Sequence, residues 1–184
     1  MRYLFKIISS LSLILFSFSL STLFLFVLFR VYPFFISLQQ LEVHKEVMNI
    51  LFFKDINPVF LLENEYAHII DVRNFIGVLI LLFLISLYIL FIDWKKKYTK
   101  SKDLFIFSLV ILLVFLVLFF LFPFESSFRY MHFIFFPQGN WEFPIESVLI
   151  KTYPLEFWKT VGYMFWGVAA LIYTLFLWVY KKLF

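Results

Sequence analysis

Four long runs of apolar residues dominate the chain. They cover residues 7–29, 74–92, 104–122 and about 161–180, and each is close to the ~20 residues that cross about 30 Å of hydrocarbon as a helix. We therefore expect one membrane domain over residues 1–184 with four transmembrane helices. The first run follows Arg2 and Lys6, as in a signal peptide. It is longer than the usual apolar stretch of such a peptide and no small-residue cleavage site follows it, so we expect it to remain as an anchor.

The charges between these runs predict the orientation in the membrane. The short connection 93–103 holds five basic and two acidic residues, Arg2 and Lys6 precede the first run, and Lys181 and Lys182 follow the last. The two long connections are acidic on balance: residues 30–73 hold four basic and six acidic residues, and residues 123–160 hold three and four. Basic residues favour the cytoplasmic side. This predicts cytoplasmic termini, a cytoplasmic loop 93–103 and extracytoplasmic loops 30–73 and 123–160.

The two long connections contain patterns of their own. Ser37 to Gln40 has the spacing of a capping box, and apolar residues then recur at helical intervals to Phe52, which predicts an amphipathic helix along the membrane interface. Residues 128–136 fit a strand on which His132 would share a face with Phe128, Tyr130, Ile134 and Phe136, and the turn residues 137–140 follow them. The expected fold is mainly α: four transmembrane helices with a small extracytoplasmic cap of mixed α/β structure.

Composition excludes several classes of function. Hydrophobic residues make up 64% of the chain and charged residues only 15%, too few for the surface of a soluble domain. The net charge of +4 is divided among short clusters beside the apolar runs, so we expect no nucleic-acid partner. The chain has no cysteine, which excludes thiol nucleophiles, disulfides and iron–sulfur ligation.

The three histidines are the main candidates for chemistry. If the segment before the second run is helical, Glu65, His68 and Asp71 share one face, and a carboxylate near one ring nitrogen would fix the tautomer of the imidazole. The alternative is that Asp71 caps the helix and Glu65 remains in water. His132 lies among aromatic residues soon after the third run, where packing and proton transfer are both open. His44 falls on the amphipathic helix, and we expect it to face water or lipid headgroups.

The chain resembles the lipoprotein intramolecular transacylases, the Lit family of Gram-positive membrane enzymes. The family's first block pairs Glu-x-x-His with a following Asp-Val and a basic residue, and its second has a histidine among aromatics, a Trp-x-Phe and a late proline. The matching residues here are Glu65, His68, Asp71, Val72 and Arg73, then His132, Trp141 to Phe143 and Tyr153 to Phe157. Four spans with two large outer loops also match.

The resemblance implies an activity and a site. Family members move an acyl chain from the sn-2 position of a diacylglyceryl lipoprotein to its N-terminal cysteine amine, giving a lyso-form lipoprotein at the bacterial plasma membrane. It implies that His68 and His132 are catalytic, and we assign supporting roles to Glu65, Asp71, Arg73, Tyr130 and Trp141. No cofactor and no metal is expected, and the partners are the lipoprotein substrate and membrane lipid.

Two other functions fit the sequence. A metal-dependent membrane hydrolase would use Glu65, His68, Asp71 and His132 as ligands, since Glu-x-x-His puts two ligands on one helical face. A non-enzymatic membrane factor would use the outer cap to bind a partner, and both histidines would then be packing residues.

Overall fold

The computed structural model describes residues 2–30, 37–54 and 56–183. Two parts of the predicted loop 30–73 therefore lie outside the described residues, namely 31–36 and Asp55. In the described part, regular structure is helical throughout. In chain order the helices are α1 (Arg2–Phe29), α2 (Leu38–Leu51), α3 (Glu63–Lys96), α4 (Ser101–Leu121), α5 (Phe124–Phe135), α6 (Val148–Thr152) and α7 (Leu155–Leu183).

Four of these helices, α1, α3, α4 and α7, are long and apolar enough to cross a membrane, which confirms the four predicted membrane helices. α3 has 34 residues and is therefore about 51 Å long, well beyond the ~30 Å of hydrocarbon. Its charged residues lie in its first eleven positions and near its end, and the uncharged stretch 74–92 lies between them. That stretch alone is long enough to span, so the turns of α3 before Asn74 are not needed to cross the hydrocarbon.

The expected β-structure in the cap is wrong. Residues 128–136, predicted as strand-like, lie largely in α5, and the described residues contain no strand. Pro123 is the N-cap of α5, where the fixed φ of proline and its missing N–H cost nothing. Phe128, His132 and Phe136 are also spaced by four, so the same aromatic residues that alternate along a strand share one face of a helix. The turn predicted after them is present, with Gly139 at φ 75°.

The structure divides into two compact units. One contains α1 to Phe24, α3 from Leu79, α4, and α7 from Tyr163. Its core joins apolar residues of all four helices, among them Leu13, Leu90, Leu104 and Tyr173. Polar contacts supplement this packing: Ser108 and the Tyr173 hydroxyl lie 2.9 Å apart. Lys6 pairs with Asp103 at 2.8 Å.

The other unit contains the end of α1, α2, the beginning of α3, α5, α6 and the beginning of α7. α2 begins with the predicted capping box, because Ser37 and the Gln40 side chain each bond the other's backbone N–H. Its buried residues include Val43, Val47 and Ile50 together with Met48 and Leu51, whereas Leu38 is 85% exposed. α2 packs against α6, and this contact from more than 100 residues away decides which face is covered.

Candidate functional site

The first turns of α3 carry Glu65, His68 and Asp71 at helical spacing, as the sequence predicts. Glu65 is fully buried. One carboxylate oxygen accepts the Leu62 N–H at 2.8 Å, and the other accepts the Ser147 hydroxyl and the Leu149 N–H at 3.4 Å. The alternative in which Glu65 remains in water is therefore wrong, and its observed contacts anchor the start of α3 to the start of α6.

The structure brings His68 and His132 together. Their ring centroids are 5.9 Å apart, with an angle of 31° between the ring planes, and the two residues are only 7% and 8% exposed. Aromatic rings enclose the pair. Phe136 lies 5.1 Å from His68 and 5.5 Å from His132, and Phe143 lies 5.7 Å from His68. Two imidazoles thus lie side by side in largely apolar surroundings.

The tautomer of His132 follows from one hydrogen bond. Its Nδ1 lies 2.8 Å from the carbonyl oxygen of Phe128, one helical turn earlier. A carbonyl only accepts, so Nδ1 carries the hydrogen and, in the neutral ring, Nε2 keeps its lone pair. The ring is also held from the side by Phe128 at 4.1 Å and Trp141 at 5.0 Å. His132 therefore presents Nε2 as a site that can take up a proton.

Burial lowers the pKa of both histidines and so favours their neutral forms. Burial, followed by repulsion from His132, lowers the pKa of His68 to about 4, although Asp71 and Asn140 oppose the change. Burial also lowers the pKa of His132, and its bond to the Phe128 carbonyl opposes this. Because each imidazolium would repel the other, the pair holds at most one proton near neutral pH. A pair of this kind can accept one proton and return it.

Asp71 holds the turn that follows α5. One of its oxygens, Oδ2, accepts hydrogen bonds from Gln138 Nε2 at 2.6 Å and Asn140 Nδ2 at 2.7 Å. Asn140 in turn lies beside the His68 ring, where it favours the protonated form. The sequence predicts only a turn at residues 137–140. The two amide side chains beside Gly139 are the one feature of the sequence that could have indicated polar contacts between this turn and α3. Gln138 and Asn140 are thus site residues that sequence reasoning missed.

The remaining supporting residues are placed differently from one another. Trp141 lies at the candidate site: its ring is tilted by 45° against that of His132, and its Nε1–H donates to the Phe136 carbonyl at 3.1 Å. Tyr130 is 61% exposed. It was expected on the same strand face as His132, but on a helix two residues are about 200° apart and point to opposite sides. The Arg73 guanidinium lies 5.3 Å from the Phe53 ring centroid, next to the end of α2.

His44 is buried rather than facing water or headgroups, so that expectation is wrong. It is 2% exposed, its Nδ1 lies 2.9 Å from the Tyr153 hydroxyl, and its ring meets Phe29 edge-on at 5.4 Å. The cause is the packing of α2 against α6, which covers the face that carries it. Burial lowers the pKa of His44, and its contacts are those of a packing residue.

The arrangement does not assemble the ligand set of a metallohydrolase. Over residues 2–30, 37–54 and 56–183, no group of three or more His, Cys, Asp or Glu residues is placed to hold a metal ion. The contacts of Glu65 go to Ser147 and to backbone N–H groups, and those of Asp71 go to two amides. The acidic residues position segments of the chain instead of surrounding a common point with the histidines.

Comparison with known proteins places these elements in a family. The family described as lipoprotein intramolecular transacylase Lit matches residues 43–158, which is more than half of the chain and includes both histidines. An uncharacterized protein of Aquifex aeolicus (strain VF5) is 28% identical over 116 residues, which are 60% of this chain and 51% of that protein. The chain thus spans about half the length of this curated relative.

Solved structures share the fold. The membrane integral lipoprotein intramolecular transacylase Lit from Bacillus cereus is 20% identical, with a TM-score of 0.70 over 99% of this chain and 97% of that one. A histidine-to-arginine variant of the same protein is 19% identical, with a TM-score of 0.70 over 100% and 92%. At these identities the likeness concerns the fold, and the family is shown by the match over residues 43–158. The chain belongs to the lipoprotein intramolecular transacylase (Lit) family.

Proposed function

We propose that this chain transfers an acyl chain within one molecule, from the sn-2 glyceryl ester of a diacylglyceryl lipoprotein to the α-amino group of its N-terminal cysteine. The product is a lyso-form lipoprotein. The observation that carries the proposal is the enclosed pair of neutral imidazoles, His68 and His132, with ring centroids 5.9 Å apart, within the segment that matches the family.

The reaction needs little more than positioning and proton transfer. The amine nitrogen attacks the sn-2 carbonyl carbon, a C–N bond forms, and the C–O bond to glycerol breaks. One proton leaves the nitrogen and one arrives on the glyceryl oxygen, so atoms and charge balance without another reactant. Because amine and ester belong to one molecule, holding them in contact removes much of the entropic barrier. A neutral imidazole accepts the first proton and the resulting imidazolium supplies the second.

The site fits these requirements in three ways. His132 Nε2 has a lone pair, because Nδ1 is committed to the Phe128 carbonyl. The apolar surroundings of the pair keep both rings neutral and therefore able to accept a proton. Phe136, Phe143 and Trp141 line the pair, and an aromatic wall of this kind excludes the water that would otherwise hydrolyse the ester.

The charge distribution supports an orientation for this reaction. With basic residues concentrated at both termini and in 93–103, both termini are cytoplasmic and the site faces the extracytoplasmic side of a bacterial plasma membrane. The partners are the diacylglyceryl lipoprotein and the surrounding membrane lipid. Residues 30–73 and 123–160, which supply His68 and His132, then lie on the same side.

Mass spectrometry tests the reaction directly. Expressed in a bacterium that makes diacylglyceryl lipoproteins and has no enzyme of this kind, the protein should leave the mass of the N-terminal lipopeptide unchanged while one acyl group moves from glycerol to the cysteine amine. A hydrolase would remove an acyl group and an intermolecular transferase would add one. Unaltered lipopeptides would favour a partner-binding factor instead.

Variants of the three histidines provide matched controls. His68→Ala and His132→Ala should each lower the rate by about 10² to 10⁴, whereas His44→Gln, which keeps a polar side chain beside Tyr153, should retain conversion. Activity that survives in the His68→Ala, His132→Ala double variant would refute the mechanism. Treatment with a strong chelator should leave activity unchanged, and loss that zinc restores would support a metalloenzyme.

A further inference from the structure

Three basic residues near the end of α2 have no acidic partner among the described residues. The first long connection, 30–73, holds four basic residues in all. One of them, Lys45, pairs with a carboxylate of its own helix at 2.7 Å. The other three, Arg30, Lys54 and Arg73, form no ion pair in the part of the chain that the structure describes. Arg30 and Lys54 are exposed and Arg73 is half-buried.

Several carboxylates of the same connection are engaged elsewhere. Glu46 is only 7% exposed, and its two oxygens accept the backbone N–H groups of residues 59–61 at 2.9 to 3.3 Å. Glu65 accepts the Ser147 hydroxyl, and Asp71 accepts two amides. These carboxylates therefore do not neutralise the three cations, whose positive charge is available to an anionic ligand.

Two phenylalanine rings hold the two arginines. The guanidinium carbon of Arg30 lies 4.8 Å from the ring centroid of Phe52, and that of Arg73 lies 5.3 Å from the ring centroid of the adjacent Phe53. A ring face attracts a guanidinium group, whereas an anion binds to the N–H groups of that guanidinium. The ring contacts thus fix the two charges beside neighbouring residues and leave N–H groups for an anion.

Phe53 has a backbone conformation that usually selects glycine. It follows Phe52, the C-cap of α2, and its φ is 61°, in the left-handed region that a bulky residue adopts only at a cost. Its side chain is 61% exposed, so burial offsets little of this cost. The stability of α2 does not account for a phenylalanine at this position, whereas its contact with Arg73 at the surface does.

The boundaries of the spans place both arginines at the membrane surface. Arg30 directly follows the apolar run 7–29, and Arg73 directly precedes the apolar run 74–92. Because these two spans are consecutive in the chain, the two boundaries lie on the same side of the membrane, whichever way the chain is oriented. The polar headgroups of the lipids border the hydrocarbon at this level. The anion closest to both arginines is therefore the phosphate of a lipid.

We propose that Arg30, Lys54 and Arg73 form a binding site for the headgroup of an anionic phospholipid. The two guanidinium groups donate to its phosphate oxygens, Lys54 adds positive charge, and the exposed rings of Phe52 and Phe53 contact the apolar part of the lipid. A zwitterionic lipid has the same phosphate but also a cationic group, which the three cations repel. The site therefore favours an anionic lipid, and this inference does not depend on the proposed acyl transfer.

Thermal unfolding in the presence of added lipid tests the site. The full-length protein in an uncharged detergent at pH 7 is titrated with phosphatidylglycerol, with phosphatidylcholine of the same acyl chains, or with inorganic phosphate. A ligand that binds only the folded state raises the melting temperature with its concentration, so each series yields an affinity. Phosphatidylglycerol should bind at least about tenfold more tightly than phosphatidylcholine, and inorganic phosphate should have no effect at the same concentration. Equal affinities for the two lipids, or an equal effect of inorganic phosphate, would overturn the proposal.

Two double variants assign the preference to the arginines. Arg30→Gln, Arg73→Gln removes two charges and should bring the ratio of the two lipid affinities close to one. Lys45→Gln, Lys159→Gln removes the same charge from cations that are paired with carboxylates, and should keep the ratio of the wild type. If the arginine double variant does not fold, each single arginine variant should lower the ratio by roughly threefold, half of the effect in free energy. A folded double variant that keeps the preference, or two single variants that both keep it, would show that the arginines do not form the site.

Discussion

Acidification should destabilise the protein through His68. The pKa of this group falls from 6.5 to about 4 on folding, so the folded state binds the proton less well than the unfolded chain. Its contribution to stability is complete above about pH 6.5 and is lost progressively as the pH falls toward 4. The cause is burial among Phe136, Phe143 and His132.

The expected size follows from the two pKa values. At pH 5 the unfolded imidazole is almost fully protonated and the folded one is about nine-tenths neutral, which corresponds to a loss of about 2 kcal/mol relative to pH 7.5. His68 is 7% exposed, so solvent screening reduces this little. For a chain of this length, the melting temperature should fall by roughly 4–8 °C.

Thermal unfolding in detergent, monitored by tryptophan fluorescence at pH 7.5 and at pH 5, measures this change in melting temperature. The matched variant is His68→Gln, which is polar but does not titrate. Between pH 7.5 and 5, its melting temperature should fall by several degrees less than that of the wild type, because most of the roughly 4–8 °C decrease is assigned to His68. Some dependence will remain, because burial lowers the pKa of His132 and His44 as well. Parallel curves for wild type and variant would refute the assignment of the effect to His68.

Three further predictions concern topology, stability and the role of one carboxylate. A cysteine at exposed Asn57 should react with an impermeant maleimide on intact cells and one at exposed Lys100 should not; labelling at Lys100 alone would reverse the orientation. Glu65→Ala should lower the free energy of unfolding by about 2–4 kcal/mol in thermal unfolding, because it leaves buried donors unpaired. The control is Glu63→Ala, at an exposed position of the same turn, which should have little effect. Asp71→Asn should slow lipopeptide conversion roughly tenfold, a loss of about 1.4 kcal/mol, and a loss as large as that from either histidine would give Asp71 a direct part in the chemistry.

The sequence predicts those parts of the candidate site whose residues lie close together along the chain. Glu65, His68 and Asp71 lie three residues apart, so helical periodicity alone puts them on one face. The capping box before α2 and the turn after α5 are equally local, and the structure contains both.

Where a short segment fits two periodicities, the sequence predicts the wrong element. Residues 128–136 place Phe128, His132 and Phe136 on one face of either a strand or a helix, and a run of this length does not discriminate between the two. In the structure the fourfold repeat forms α5 and places Phe128 and Phe136 beside His132, while Tyr130, expected on the same face, is exposed.

The sequence by itself determined the four membrane helices, because lipid provides no hydrogen bonds to the backbone and demands about 20 uncharged residues in each span. Tertiary structure alone decided which side chains meet. The bonds from Asn140 and Gln138 to Asp71 join positions 69 and 67 residues apart, and the burial of His44 depends on Tyr153, 109 residues later. Periodicity describes only neighbours along the chain. Contacts at these separations arise from the packing of whole helices, and that packing determines which histidines face each other and which is buried beside a tyrosine.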